Sequence, residues 1–164
     1  MNLTTKKLSL KEALAAARET RALEIGTDIL EITPRIFREQ FGDKTAVFVT
    51  DKNTWDVAGE KVSAAFAAAK HPMEKPFIFD APDLYAEFRF VEELEASLKT
   101  HSAIPVAVGS GTINDLTKLA SHRTQRPYMC VATAASMDGY TAFGASITFK
   151  GSKQTFLCPA PTAV

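Results

Sequence analysis

The chain has 164 residues and a mass of 17.8 kDa, with 46% hydrophobic residues and 19 basic against 19 acidic side chains. That length and apolar content suit one ordinary domain, residues 1–164, with its own core, and exclude collagen, coiled coil and disordered tail. Charge is balanced in both halves of the chain, so bulk electrostatics invites neither nucleic acid nor an anionic membrane.

Cys130 and Cys158 sit in apolar stretches without CxxC spacing or further partners for a zinc site, and are expected as buried reduced thiols. The first twenty residues contain no long apolar run, which argues against a signal peptide. No window reaches the roughly 18 apolar residues of a membrane span, and the expected compartment is the cytoplasm.

Taken in chain order, Leu10, Leu14 and Ala17 suggest a first helix, residues 21–25 a short edge strand, and residues 34–41 a helix capped by Thr33. Residues 45–50 (TAVFVT) form an apolar run of strand length, followed by the polar Asp51, Lys52 and Asn53. Residues 55–70 read as a helix with Val62, Phe66 and Ala69 on one face. Residues 75–80 (KPFIFD) are the next strand; Phe90, Val91, Leu94 and Leu98 then mark a helix whose other face carries Glu92, Glu93 and Glu95.

Residues 105–108 are a third strand running into Gly109-Ser110-Gly111-Thr112, after which Ile113, Leu116, Leu119 and Ala120 form a helical stripe. Residues 127–132 (PYMCVA) are a fourth strand. Residues 145–149 and 155–158, joined around residues 150–153, read as a β-hairpin. The last six residues are apolar and uncharged, which suggests a chain cut from something longer. Alternating short strands with amphipathic helices predicts an α/β fold with an open parallel sheet, doubly wound if helices cover both faces.

The glycine turn at Gly109 and Gly111 carries the strongest local signal. It lets a ligand approach the backbone while the free N–H groups of the new helix and its dipole favour a phosphate or diphosphate. Asn114 replaces the third glycine of GxGxxG, and a tight strand–helix turn served by Thr112 and Asp115 explains the same residues. Asp51, just past the first strand, suits a ribose diol and would repel a 2′-phosphate, or it caps the turn. Asp138 lies among Thr133, Ser136 and Gly139 after the fourth strand, placed for a polyol hydroxyl or for capping its loop. His71, His101 and His122 fall at or beyond helix C-termini and read as solvated ends, and Lys118 reads as an end charge.

Three segments, VTDKNT at residues 49–54, VGSGTINDLTK at 108–118 and ATAASMDGYTAFGASI at 132–147, occur together in a recognisable order. In that order they resemble the amino-terminal half of the iron-containing alcohol dehydrogenase, glycerol dehydrogenase and dehydroquinate synthase superfamily. The bacterial glycerol-1-phosphate dehydrogenases are the most similar branch. The resemblance runs from about Leu23 onward and implies a Rossmann-like domain. Gly109, Ser110, Gly111, Thr112 and Ile113 are then expected to hold the diphosphate of NAD, with NADP possible. Thr133 and Ser136 are expected on the nicotinamide side, Asp51 beside the adenosine ribose and Asp138 against the polyol. Ala142 stands where that branch commonly has a coenzyme-contacting serine.

The superfamily also has a helical domain whose aspartate and two histidines bind catalytic zinc, iron or nickel, and these residues contain no counterpart. The resemblance therefore implies hydride transfer between glycerol 1-phosphate and dihydroxyacetone phosphate by a homo-oligomeric whole protein. This chain alone is expected to bind the nucleotide and turn over little. A non-catalytic nucleotide-binding or interaction module, or a dehydroquinate-synthase-like member, are the alternatives.

Overall fold

The apolar runs build a four-stranded parallel sheet in a computed structural model that describes residues 9–164. The signal-peptide reading therefore falls partly on residues 1–8, outside the described ones. Helix α1 (Leu10–Ala16) is closed by a capping box, in which the Glu12 carboxylate takes the Ser9 N–H at 2.8 Å and the Ser9 hydroxyl accepts from Glu12 N at 3.3 Å. Its apolar stripe is uncovered, since none of its residues is buried and Leu10 is 50% exposed.

A 3-10 turn (Leu30–Ile32) leads into α2 (Thr33–Phe41), which stops at Gly42 in the left-handed region, φ 67°. Thr33 lies inside the helix rather than capping it, and its hydroxyl donates back to Leu30 O at 2.6 Å. Strand β1 (Ala46–Asp51) is buried up to its last residue. The next helix starts earlier than its apolar stripe predicts, because Asp51 caps it: α3 (Lys52–Thr54), a π turn (Trp55–Gly59) and α4 (Glu60–Ala68) follow without a break.

Then come β2 (Phe77–Phe79), α5 (Phe88–Leu98), β3 (Ile104–Gly109), α6 (Gly111–Arg123) and β4 (Met129–Ala132). The hairpin β5 (Ala145–Phe149) and β6 (Ser152–Phe156) turns on two residues, Lys150 and Gly151, both with positive φ. This tight turn, whose twist suits the strands, starts the second strand three residues sooner than its apolar content suggests.

The sheet order is β2-β1-β3-β4. Parallel strands buried on both faces alternate between two cores. Val47, Val49 and Ala107 point with Leu94, Leu98, Ile113 and Leu116 to the α5–α6 side. Phe48, Val106 and Val108 point with Ile36, Phe37 and Phe66 to the α2–α4 side. Beyond β4 the chain end takes an edge position, with Cys130 N donating to Ala163 O at 2.9 Å. The expected strand at residues 21–25 shrinks to a parallel bridge between Ala22 and Ala163.

His71 departs from the solvated helix end expected of it. It is 3% exposed, stands edge-on to Phe37 and Phe66, and donates from Nε2 to Lys44 O at 2.9 Å. His122 is exposed, whereas His101 is half-buried and its Nδ1 accepts from Ala103 N at 3.2 Å. Both cysteines are free and buried.

Candidate functional site

Strand β1 leads outward to β2 while β3 leads the opposite way to β4, so the crossovers diverge between β1 and β3. At such a divergence the carboxyl ends of two neighbouring strands open a crevice. Val49 pairs with Ala107, and two residues further along each strand come Asp51 and Gly109. On the far side Gly109 pairs with Ala132, the residue before Thr133. The three predicted site segments thus line up along one edge of the sheet.

Asp51 is the N-cap of α3. Its Oδ1 accepts from Thr54 N at 2.7 Å while the Thr54 hydroxyl accepts from Asp51 N at 3.1 Å. One carboxylate oxygen is thereby committed to the cap, and the other has no hydrogen-bond partner among the described residues.

The two glycines of the turn have different reasons. A Cβ on Gly109 would stand 2.6 Å from Ile113 Cβ, so this glycine is what lets α6 press onto β3. Gly111 is the first residue of α6, with Ser110 in the cap position and no side-chain cap. The first helical bond runs from Asn114 N to Ser110 O at 3.0 Å. The amides of Gly111, Thr112 and Ile113 donate to no acceptor among the described residues. Three unused donors at the positive end of a 13-residue helix present the hydrogen-bonding and electrostatic features that suit an anion.

Asp115 does not serve the helix start. Its Oδ2 accepts from Ser146 N at 3.1 Å and its Oδ1 lies 3.9 Å from Lys118 Nζ. Lys118 is 1% exposed rather than an end charge, and donates to Ala142 O at 2.8 Å and Gly144 O at 3.0 Å. Burial pushes Asp115 above and Lys118 below their ordinary values, and each partner's charge works against that push.

The loop after β4 is tied at several points. Thr133 N donates to Gly109 O at 3.1 Å. The Tyr140 hydroxyl takes the Ala134 N–H at 3.2 Å and donates to the Ala134 carbonyl at 3.1 Å. Burial raises that hydroxyl's pKa. Ser136 and Asp138 are exposed. A cleft of about 700 Å³ brings Thr133 and Asp138 together with Met137, Tyr140, Ile25 and Ile29; Asp51, Ser136 and residues 109–113 are outside its lining.

Sequence reasoning missed Met137, Tyr140 and the anchoring by Lys118. The three-residue spacing of Asp115 and Lys118 on one helix face was a usable signal; Met137 and Tyr140 carried none.

The sequence signature of the iron-containing alcohol dehydrogenases matches residues 24–164. The chain belongs to that family. Two curated glycerol-1-phosphate dehydrogenases (NAD(P)+) align with this dehydrogenase-family chain over most of its length. That of Halalkalibacterium halodurans is 31% identical over 148 residues, 89% of this chain and 37% of the relative. That of Methanosarcina mazei is 34% identical over 145 residues, 88% of this chain and 39% of the relative. The chain thus spans under two fifths of the curated relatives' length. Among solved structures, the iron-containing alcohol dehydrogenase of Thermotoga maritima shares the fold, with a TM-score of 0.76 at 18% identity over 90% of this chain and 45% of that one. Within this family member, no group of three or more His, Cys, Asp or Glu among the described residues could hold a metal ion, and no helix among them is long and apolar enough to cross a membrane.

Proposed function

We propose that this chain is the coenzyme-binding domain of a cytoplasmic, homo-oligomeric NAD(P)-dependent dehydrogenase that interconverts glycerol 1-phosphate and dihydroxyacetone phosphate. The observation that carries the reading is the set of three unused amides opening α6 at the carboxyl end of the sheet, in a chain 31% and 34% identical to two glycerol-1-phosphate dehydrogenases (NAD(P)+).

In this reading Gly111, Thr112 and Ile113 hold the coenzyme diphosphate through their N–H groups, with the Ser110 and Thr112 hydroxyls beside them. Gly109 sets the close approach of helix to strand. The Asp51 oxygen left over from the cap accepts from a ribose diol and disfavours a 2′-phosphate. Thr133 and Ser136 face the nicotinamide half, and Asp138 accepts from a polyol hydroxyl. NAD, when bound, supplies the hydride acceptor. Among the described residues no three or more His, Cys, Asp or Glu gather where they could hold a metal ion.

The experiment is a titration of the folded chain with NADH, read by energy transfer from Trp55, its single tryptophan. Saturable binding that Gly111→Val weakens at least about tenfold supports the reading, because a branched side chain closes the approach to the amides. A folded chain that binds neither NADH nor ADP-ribose at millimolar concentration overturns it.

A further inference from the structure

Met137 folds back from the loop after β4 into a gap between two glycines. A Cβ on Gly111 would stand 3.1 Å from Met137 Cγ and 3.4 Å from its Cε, and one on Gly139 would stand 3.6 Å from Cε and Sδ. The Gly139 N–H donates to Sδ at 3.0 Å. On one side of this side chain lies the 700 Å³ cleft that holds Thr133 and Asp138, with Met137 in its lining. On the other side lies Gly111, whose amide has no acceptor among the described residues. None of residues 109–113 lines the cleft, so the thioether stands where cleft and glycine turn meet.

Resting on the coenzyme reading above, we infer that Met137 is a gate between the diphosphate-binding turn and the Asp138 cleft, swinging aside to admit a nicotinamide dinucleotide that spans both. Three rotatable bonds let the unbranched side chain leave by rotamer changes alone. What it gives up is a weak N–H···S contact, packing against two glycines and part of its contact with the α5–α6-side core, of which it is only a partly buried member. A branched or aromatic residue has fewer such exits. The same rotation frees the Gly139 N–H, which flanks the proposed substrate carboxylate of Asp138, from its contact with the thioether.

The test uses the chain labelled with 13C at the methionine methyls, the Met137 signal being assigned by its loss in M137A. On NADH titration the Met137 resonance is expected to move with saturation, while that of Met73, which bridges to Ala46 at the opposite end of the strands, stays. M137A is expected to bind NADH at least about threefold more tightly, since a closed population no longer subtracts from affinity, and M137F at least about threefold more weakly. Saturable NADH binding with the Met137 resonance unmoved and M137A affinity unchanged overturns the gate and leaves the coenzyme reading intact. Binding of neither NADH nor ADP-ribose, by folded wild type and folded M137A, removes both.

Discussion

Gly109→Ala probes the seam on which the site is built. The added Cβ would stand 2.6 Å from Cβ and Cγ1 of Ile113 and 3.0 Å from its Cγ2. Ile113 is fully buried and cannot turn away, because its Cβ is itself one of the colliding atoms and α6 is packed against α5 behind it. Overpacking typically costs about 1–3 kcal/mol, and a backbone-fixed collision belongs in the upper half of that range. At about 2–4 °C per kcal/mol for a chain of this size, the melting temperature is expected to fall by about 4–12 °C. Thermal unfolding followed by circular dichroism reads this directly. Ile113→Ala removes two of the three short contacts, so the double variant should lose less than the two single variants together, with a coupling above about 0.5 kcal/mol. G109A melting within about 1 °C of wild type would refute the argument that this glycine exists to seat α6 on β3.

Three further outcomes follow from the contacts. Glu95, whose side chain is 10% exposed, is held below the ordinary carboxylate range first by hydrogen bonds from Lys99 and Arg123 and then by their charges, against the upward push of burial. The unfolded chain therefore binds this proton first as pH falls. The stabilisation is present above about pH 4.3 and vanishes through the lower folded value. Glu95→Gln should cost about 1.5–2 kcal/mol at pH 7 in urea titrations, the lower part of the range for charged hydrogen bonds because both cations keep much of their water, and should flatten the acid limb. An unchanged acid limb would mean the pair contributes nothing. Asp51→Ser keeps a good N-cap, so stability should stay within about 0.5 kcal/mol, while the NADH-over-NADPH preference should fall at least about tenfold by paired titrations; an unaltered preference removes Asp51 from the ribose. Burial pushes the Cys130 thiol up to about 12 and the Cys158 thiol up to about 11, so thiol reagents at pH 8 should label neither until denaturant is added, and rapid native labelling would contradict that burial.

The strands were legible because a parallel sheet covered on both faces demands uninterrupted apolar residues, and residues 45–50, 105–108 and 127–132 supply them. The α6 stripe was legible for the same local reason, since period 3.6 survives in the sequence. Element edges were less so: Asp51 started its helix early through a cap to Thr54, and Lys150-Gly151 shortened the hairpin turn through two positive φ angles.

Length, apolar periodicity and the Gly109 to Thr112 turn by themselves determined an α/β sheet with a helix that opens from a glycine turn on free backbone amides. These are properties of neighbours in the chain, and burial period and missing side chains record them directly. Tertiary structure alone decided that Lys118 would be buried against carbonyls 24 and 26 residues away, that His71 would reach Lys44 across 27 residues, and that Met137 would lie on Gly111. Such partners meet only when crossovers bring distant segments to one edge of the sheet. A charged or flexible side chain read in isolation carries no mark of what it will meet there, because desolvation and pairing depend on atoms that are neighbours in space and strangers in sequence.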